Sequence, residues 1–138
     1  MAIDVVWKDR AKTILLVKYQ HPWTWSDFKQ AQDLTHNMAA SVEHSVGILH
    51  DWRNGTRYYL DVESYGYIRH ALHHEPPNIS VHVGVGMVGV PGRMLPALFG
   101  VEGRILHVID NYEEALRMLT QSDSHSSSSN GSMMWVSA

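Results

Sequence analysis

The chain has 138 residues, 44% of them hydrophobic and 18% charged, with a formal net charge of -3 and no cysteine. This length and composition favour one compact domain and exclude a wholly disordered chain. The slightly acidic balance argues against nucleic acid as a partner, and the lack of cysteine excludes disulfides and thiolate catalysis. No apolar run is long enough to span a bilayer, and the first residues lack the pattern of a secretory signal. We therefore expect a cytoplasmic protein without a membrane span.

The first forty residues predict a β-hairpin followed by a capped helix. Ile3–Trp7 and Thr13–Tyr19 are apolar runs rich in β-branched residues, and a polar segment joins them. Thr24, with Asp27 three residues later, forms a capping box for a helix that extends to about Val42. Gln32 is expected among the polar residues of this helix, whose apolar side is predicted to contain Phe28, Ala31, Met38, Ala39 and Val42.

Strands and helices are predicted to alternate along the rest of the chain. In order, they are a strand over Val46–Leu49 that ends in His50-Asp51, a loop over Trp52–Asp61, a helix over Ser64–Glu75, a strand over Ile79–Met87, a short helix over Pro91–Leu98, a strand over Arg104–Ile109 and a helix capped by Asp110 and Glu113. We expect an α/β domain with a mixed sheet of about five strands, about four helices and the order β-β-α-β-α-β-α-β-α. The domain is predicted to cover residues 1–121, and the Ser-rich residues 122–138 are predicted to form a flexible tail.

Short patterns rich in aromatic, proline and acidic residues stand at the junctions of these elements. They are Val6-Trp7, Pro22-Trp23-Thr24-Trp25, His50-Asp51, Pro76-Pro77-Asn78 and Asn111-Tyr112-Glu113-Glu114-Ala115. Together with the element order, they resemble the STAS domain of anti-sigma-factor antagonists, and particularly its STAS-like or SEC14-like branch in small bacterial proteins. The resemblance covers roughly Ile3 to Thr120. It implies a non-enzymatic regulatory or protein-interaction module whose partner is another protein.

The resemblance also implies a regulatory serine at the start of the second helix. Antagonist members of the family are phosphorylated there by a partner kinase, and the similar stretch in this chain contains Ser64. The phosphate of such a site is held by free amides at the helix N-terminus. Tyrosines replace the second serine and the leucine of the family motif, and an ordinary N-cap serine is the alternative. The implied partner-binding residues are Asp51, Glu63, Ser64, Tyr65 and Gly66.

A second hypothesis is a carrier or sensor of a small apolar ligand. Gly84 and Gly86, with the neighbouring Met87, would line a pocket between the helices and the sheet, as in a SEC14-like site. The same glycines begin a G-x-G-x-x-G pattern, which is typical of dinucleotide sites. Too few strands follow for a dinucleotide-binding fold, so we expect no cofactor.

Several histidines are candidate metal ligands or catalytic groups. His70, His73 and His74 share the end of the predicted second helix, where solvated histidines complement the helix dipole, so we expect no metal site. His50 and Asp51 form a candidate acid-base pair at the end of a strand. No serine or cysteine nucleophile in a recognisable turn accompanies them, so we expect no catalytic residues and no enzyme.

Three tryptophans are predicted to lie near one another, where the first helix begins and the third strand ends. They are Trp23, Trp25 and Trp52. Such a cluster forms a protein-binding patch if it is exposed and completes the core if it is buried. The identity of the partner and the oligomeric state are left open by the sequence.

Overall fold

A computed structural model describes residues 2–55, 62–86 and 94–124. Its elements are β1 (Ile3–Trp7), β2 (Ile14–Gln20), α1 (Trp25–Ala40), β3 (Val46–Asn54), α2 (Val62–His73), β4 (Ile79–Val85), α3 (Met94–Val101), β5 (Leu106–Ile109) and α4 (Tyr112–Ser124). The strands form one mixed sheet in the order β1-β2-β3-β4-β5, with β1 antiparallel to β2 and the other neighbours parallel. The predicted α/β class and element order are confirmed.

Helices cover both faces of the sheet, as a largely parallel sheet requires. One buried cluster contains Ile48 of β3 together with side chains of α1, α2 and α3, such as Phe28 and Leu72. A second cluster contains Leu49 of β3 and Leu119 of α4. Successive residues of β3 therefore face opposite layers, as strand geometry dictates.

The beginning of α1 follows the predicted capping box. The Thr24 hydroxyl accepts a hydrogen bond from the Asp27 amide at 3.1 Å, and the Thr24 amide donates to the Asp27 carboxylate at 3.0 Å. The prediction was wrong about Gln32, which is buried together with Phe28 on one side of the helix. Its side chain lies near the buried side chain of Tyr19, and both residues line one small cavity.

The third strand is longer than predicted. β3 continues beyond His50-Asp51 to Asn54, and Trp52 is a buried strand residue rather than part of a loop. The neighbouring β2 remains paired with β3 as far as Gln20 and Asn54, so the pairing extends the strand past its apolar run. The remainder of the predicted loop, residues 56–61, lies outside the described residues.

Three helix boundaries also differ from the prediction. α2 begins at Val62, so Ser64 lies inside the helix and is not its N-cap. The side chain that caps α4 is Asn111 rather than Asp110, since its Oδ1 accepts a hydrogen bond from the Glu114 amide at 3.0 Å. The third helix continues to Val101, past the predicted end at Leu98, whereas residues 91–93 of its predicted start lie outside the described residues.

The C-terminal helix extends past the predicted end of the domain at residue 121. α4 continues to Ser124, and residues 125–138 of the predicted tail lie outside the described residues. Among the residues that the structure describes, no helix combines the length and apolar character needed to cross a membrane.

Gly86, at the end of β4, occupies a position that only glycine can fill without strain. Its φ is +75°, and an added Cβ would lie 2.7 Å from the backbone nitrogen of Arg53. We expect Gly86→Ala to lower the free energy of unfolding by about 2 kcal/mol, measured by urea denaturation. Gly100→Ala is the control, because this helical glycine has no neighbour within 4 Å. The control should be neutral or stabilising by up to about 1 kcal/mol, and equal stability of both variants would contradict the strain argument.

Candidate functional site

Five polar side chains form a continuous chain of hydrogen bonds and one ion pair beneath α1, α2 and α3. The Tyr19 hydroxyl lies 3.4 Å from Nδ1 of His50, and Nε2 of His50 lies 2.9 Å from Nδ1 of His82. Nε2 of His82 lies 2.8 Å from Oε1 of Glu75. The second carboxylate oxygen of Glu75 is 2.8 Å from Nε of Arg104. We call this arrangement the polar chain.

The sheet is what brings the polar chain together. Tyr19, His50 and His82 come from β2, β3 and β4, three neighbouring parallel strands, while Glu75 follows the end of α2. All four residues are at most 8% exposed. Buried polar groups without partners are costly, so their mutual hydrogen bonds are what allow them to lie in this core.

Burial keeps the two ends of the Tyr19–His50 contact uncharged at neutral pH. Desolvation, aided by the neighbouring His82, holds the pKa of His50 well below its usual value. Desolvation also raises the pKa of Tyr19, and a hydrogen bond from Gln32 only partly opposes this effect. At the other end, the Glu75 carboxylate is paired with the Arg104 guanidinium, so the polar chain contains one charge of each sign.

A small inner cavity adjoins the polar chain. Its volume is about 30 Å³, which is enough for a single water molecule. Tyr19, His50 and His82 contribute to its polar side, together with Gln32. The remaining walls are aromatic or aliphatic, as with Phe99 of α3, whose ring centroid lies 5.0 Å from that of His82.

A larger groove lies between α1 and α2, outside the inner cavity. Its volume is about 390 Å³, and we call it the α1–α2 groove. The buried residues of its floor, Phe28, Gln32 and Ala71, also line the inner cavity. Gln32 is therefore the polar group that lies between the groove and the polar chain. The groove is completed by the more exposed residues Lys29, Gly66, Tyr67 and His70.

The predicted tryptophan cluster is confirmed and supports one end of the groove. The ring centroids of Trp23 and Trp25 are 5.1 Å apart, and those of Trp23 and Trp52 are 5.9 Å apart. Trp52 is buried, whereas Trp23 and Trp25 are half-buried. Trp25 stacks on Tyr67 with an interplanar angle of 3°, which joins α1 to α2 beside the groove.

The residues expected to bind a partner do not share one surface. Ser64 is 0% exposed and belongs to α2, on the side of the sheet where α1 and α3 also pack. Asp51 lies on the opposite face, because it alternates with His50 along β3 and its partner Arg53 lies over the ring of Tyr112 in α4 at 4.3 Å. Asp51 and Ser64 are therefore separated by the sheet.

The other expected partner-binding residues belong to α2. Tyr65 is half-buried, and Gly66 is exposed and lines the α1–α2 groove. The side chain of Glu63 lies outside the described part of the structure. Of the four residues whose side chains are described, Gly66 is the one found in the lining of the groove.

Asp51 is held as a carboxylate by its contact with Arg53. Two nitrogens of the Arg53 guanidinium each lie 2.8 Å from an oxygen of Asp51. Burial alone would raise the pKa of Asp51, but the hydrogen bonds from Arg53 outweigh burial and lower it. This pair stabilises the end of β3 rather than offering a free carboxylate.

The predicted glycine pocket does not coincide with the groove or the inner cavity. Gly84 pairs with His50 in the register of β3 and β4, and neither Gly84 nor Gly86 lines either space. Close approach of the Arg53 backbone explains the glycine at position 86. Met87 lies outside the described residues.

The histidines at the end of α2 are exposed to solvent. The side chains of these three residues, His70, His73 and His74, are exposed. Nδ1 of His74 donates a hydrogen bond to the carbonyl of His70 at 2.9 Å. His73 lies 3.8 Å from Glu102. Within residues 2–55, 62–86 and 94–124, no group of three or more potential ligands is arranged to hold a metal ion.

The sequence suggested Asp51 as the partner of His50, but His50 contacts Tyr19 and His82, and His82 in turn contacts Glu75. The sequence contained one indication of these contacts. His82 is a polar residue in a strand that helices must cover on both faces. A histidine at such a position needs a buried partner. Glu75, seven residues before His82, was the nearest acidic candidate in the sequence.

Two chemical capacities follow from this arrangement. The α1–α2 groove has the size and lining to hold a small apolar molecule, and the polar chain adjoins the inner cavity beneath its floor. Neither the models of known protein families nor the curated proteins match this chain. The groove and the polar chain are therefore the candidate functional site on the basis of their geometry.

Proposed function

We propose that this domain is a non-enzymatic regulatory module that binds a small, largely apolar molecule in the α1–α2 groove. The supporting observation is a concave groove of about 390 Å³ with the buried side chains of Phe28 and Ala71 in its floor. Sites for small molecules have volumes of roughly 300 to 1,000 Å³ and are lined mainly by apolar and aromatic groups. Tyr67 adds an aromatic wall.

A binding role accounts for the site better than catalysis. The histidines of the polar chain face an inner cavity of about 30 Å³, which excludes any substrate larger than water. Tyr19 is 1% exposed and does not line the groove, and its raised pKa makes it a poor proton donor. The polar chain therefore serves to fix the floor of the groove.

Ligand binding also supplies a regulatory signal. A molecule between α1 and α2 contacts both helices and changes how α2 presents Tyr65 and Gly66 to another protein. Phosphorylation of Ser64, the switch implied by the STAS resemblance, requires a kinase to reach a hydroxyl that is 0% exposed. Because Ser64 is buried, a bound small molecule is favoured over phosphorylation as the signal, and the protein partner is what responds to it.

Filling the groove from α2 should abolish ligand binding. Gly66 lines the groove and has no neighbouring atom within 4 Å of an added Cβ, so Gly66→Leu places its side chain in the ligand's space. Leucine is also the better helix former, so stability should not fall. Native mass spectrometry of protein isolated from its own cells should detect a noncovalent ligand on the unaltered protein and none on the variant.

The control is Gly100→Leu, which alters another exposed helical glycine outside the groove. This variant should retain the ligand. Bare protein carrying a phosphate on Ser64 would contradict the proposal and favour the phosphorylation switch. Ligand retained equally by both variants would place it elsewhere than in the α1–α2 groove.

A further inference from the structure

We infer that the molecule bound in the α1–α2 groove is a small organic acid, with an apolar body on the floor of the groove and one carboxylate at its rim beside Lys29. The inference rests on the proposed function and names the chemical class of the ligand. It follows from the way in which apolar and cationic side chains are divided between the floor and the rim.

On the α1 side, helical spacing separates a buried row of the lining from an exposed one. Phe28 and Gln32 lie one turn apart and are both buried, so they belong to the floor. Lys29 follows Phe28 directly and is exposed. Lys29 therefore lies at the rim, where its ammonium can contact the polar end of a ligand whose apolar part rests on Phe28.

The α2 side shows the same division. Tyr67 and Ala71 lie one turn apart, and they are half-buried and buried. Gly66 and His70 also lie one turn apart, but both are exposed and form the opposite rim. The His70 imidazole carries an N–H donor in either protonation state. The groove thus has a mainly apolar interior between two exposed edges, and each edge contains a donor for an anion.

Charge complementarity favours an anionic ligand. None of the described residues that line the groove is acidic. Asp33 competes for Lys29, but the two charged groups are 3.8 Å apart and their side chains are 66% and 60% exposed. Such an exposed pair contributes little and can exchange one partner for another. On the α2 side, the carboxylate of Glu102 is already bound by Arg69 at 2.9 Å.

A single carboxylate suits this rim better than other polar groups. An amine would be repelled by Lys29, and a neutral group would gain no charge-assisted hydrogen bond from it. A phosphate carries up to about two negative charges, more than the ammonium of the described rim neutralises. A second carboxylate would lie on the floor against Phe28 and Ala71, where an unpaired charge is costly to bury.

Cinnamate and cinnamamide are matched probes, because they share one shape and only cinnamate is charged. Binding is measured at neutral pH by NMR titration, followed at the backbone amide resonances of Lys29, Gly66 and Ala71. We expect the unaltered protein to bind cinnamate about fivefold more tightly than cinnamamide at low ionic strength, as an exposed charge pair allows. Added salt should reduce this preference, because it screens the charges at the rim.

Three variants identify the charge that sets the preference. Lys29→Gln should bind both probes equally. Lys18→Gln removes an exposed lysine of β2 that does not line the groove, and it should keep the full preference. Asp33→Asn removes the carboxylate that competes for Lys29, so it should raise the preference above that of the unaltered protein.

The outcomes separate this inference from the proposed function. Equal binding of both probes to the unaltered protein would overturn the selection of an acid and leave the ligand site in place. A preference for cinnamate that survives Lys29→Gln would overturn the assignment of the carboxylate to Lys29. Absence of any shift at the groove with either probe would overturn the proposed function together with the inference.

Discussion

Glu75→Gln should lower the free energy of unfolding by about 3 to 5 kcal/mol, as measured by chemical denaturation. The Glu75 side chain is 2% exposed, accepts a hydrogen bond from His82 and forms an ion pair with Arg104. An amide of the same size removes the negative charge and turns an N–H group toward one of these two donors. The Arg104 charge is then left without its counterion in a largely buried position, which is among the costliest changes in a protein core.

Two controls separate the loss of this ion pair from the loss of a carboxylate in general. Glu43→Gln alters an exposed glutamate and should change stability by no more than about 0.5 kcal/mol. Adding Arg104→Met to Glu75→Gln should recover part of the loss, because it removes the cation that lacks a partner. If Glu75→Gln and Glu43→Gln were equally stable, Glu75 would not be the buried anchor of the polar chain.

The elements that sequence reasoning placed correctly depend on local signals. The capping box of Thr24 and Asp27 satisfies amides within one turn, so the start of α1 is visible in four residues. The end of β3 was missed because it depends on the neighbouring strand. Nothing near Asn54 indicates that Gln20 lies beside it, and this pairing is what extends the strand.

The site was harder to predict than the fold for the same reason. Tyr19 and His50 are 31 residues apart, and His50 and His82 are 32 residues apart. Their contacts exist because three parallel strands are aligned in a particular register, which depends on the packing of the whole sheet. Gln32 was assigned to the polar side of α1. Helical spacing alone does not reveal that this residue packs near the buried side chain of Tyr19.

Buried polar groups also give this fold a defined arrangement beneath the groove. Apolar floor residues such as Phe28 and Ala71 favour the binding of an apolar molecule but do not fix its orientation. The hydrogen bonds from Glu75 through His82 and His50 to Tyr19 hold the polar groups around the inner cavity in place beneath this floor.

Folding stability should fall as the pH is lowered below about 6.5, the usual pKa of histidine, because of His50. Burial holds the pKa of His50 in the folded protein well below that value. At a pH between the pKa values of His50 in the unfolded and folded states, the unfolded chain binds a proton at this residue and the folded protein does not. Lowering the pH in this range therefore favours unfolding. His36 and His107, whose pKa values burial also lowers, act in the same direction.

The expected slope for His50 approaches about 1.4 kcal/mol per pH unit once the unfolded chain is fully protonated at this residue. Asp51 does not interfere in this range. Its pKa is lowered from 3.8, so its contribution is fully present above that value and is lost only at lower pH. Urea denaturation between about pH 7.5 and 5 therefore reports mainly on the buried histidines.

Substitution of single histidines identifies the source of the slope. His50→Gln removes the group that resists protonation and should flatten the dependence of stability on pH, although it lowers stability at neutral pH by disturbing the contacts with Tyr19 and His82. His70→Gln changes an exposed histidine of α2 and is the matched control, for which we expect the slope of the unaltered protein. A slope that His50→Gln leaves unchanged, or stability that rises toward pH 5, would show that His50 takes up its proton in the folded state.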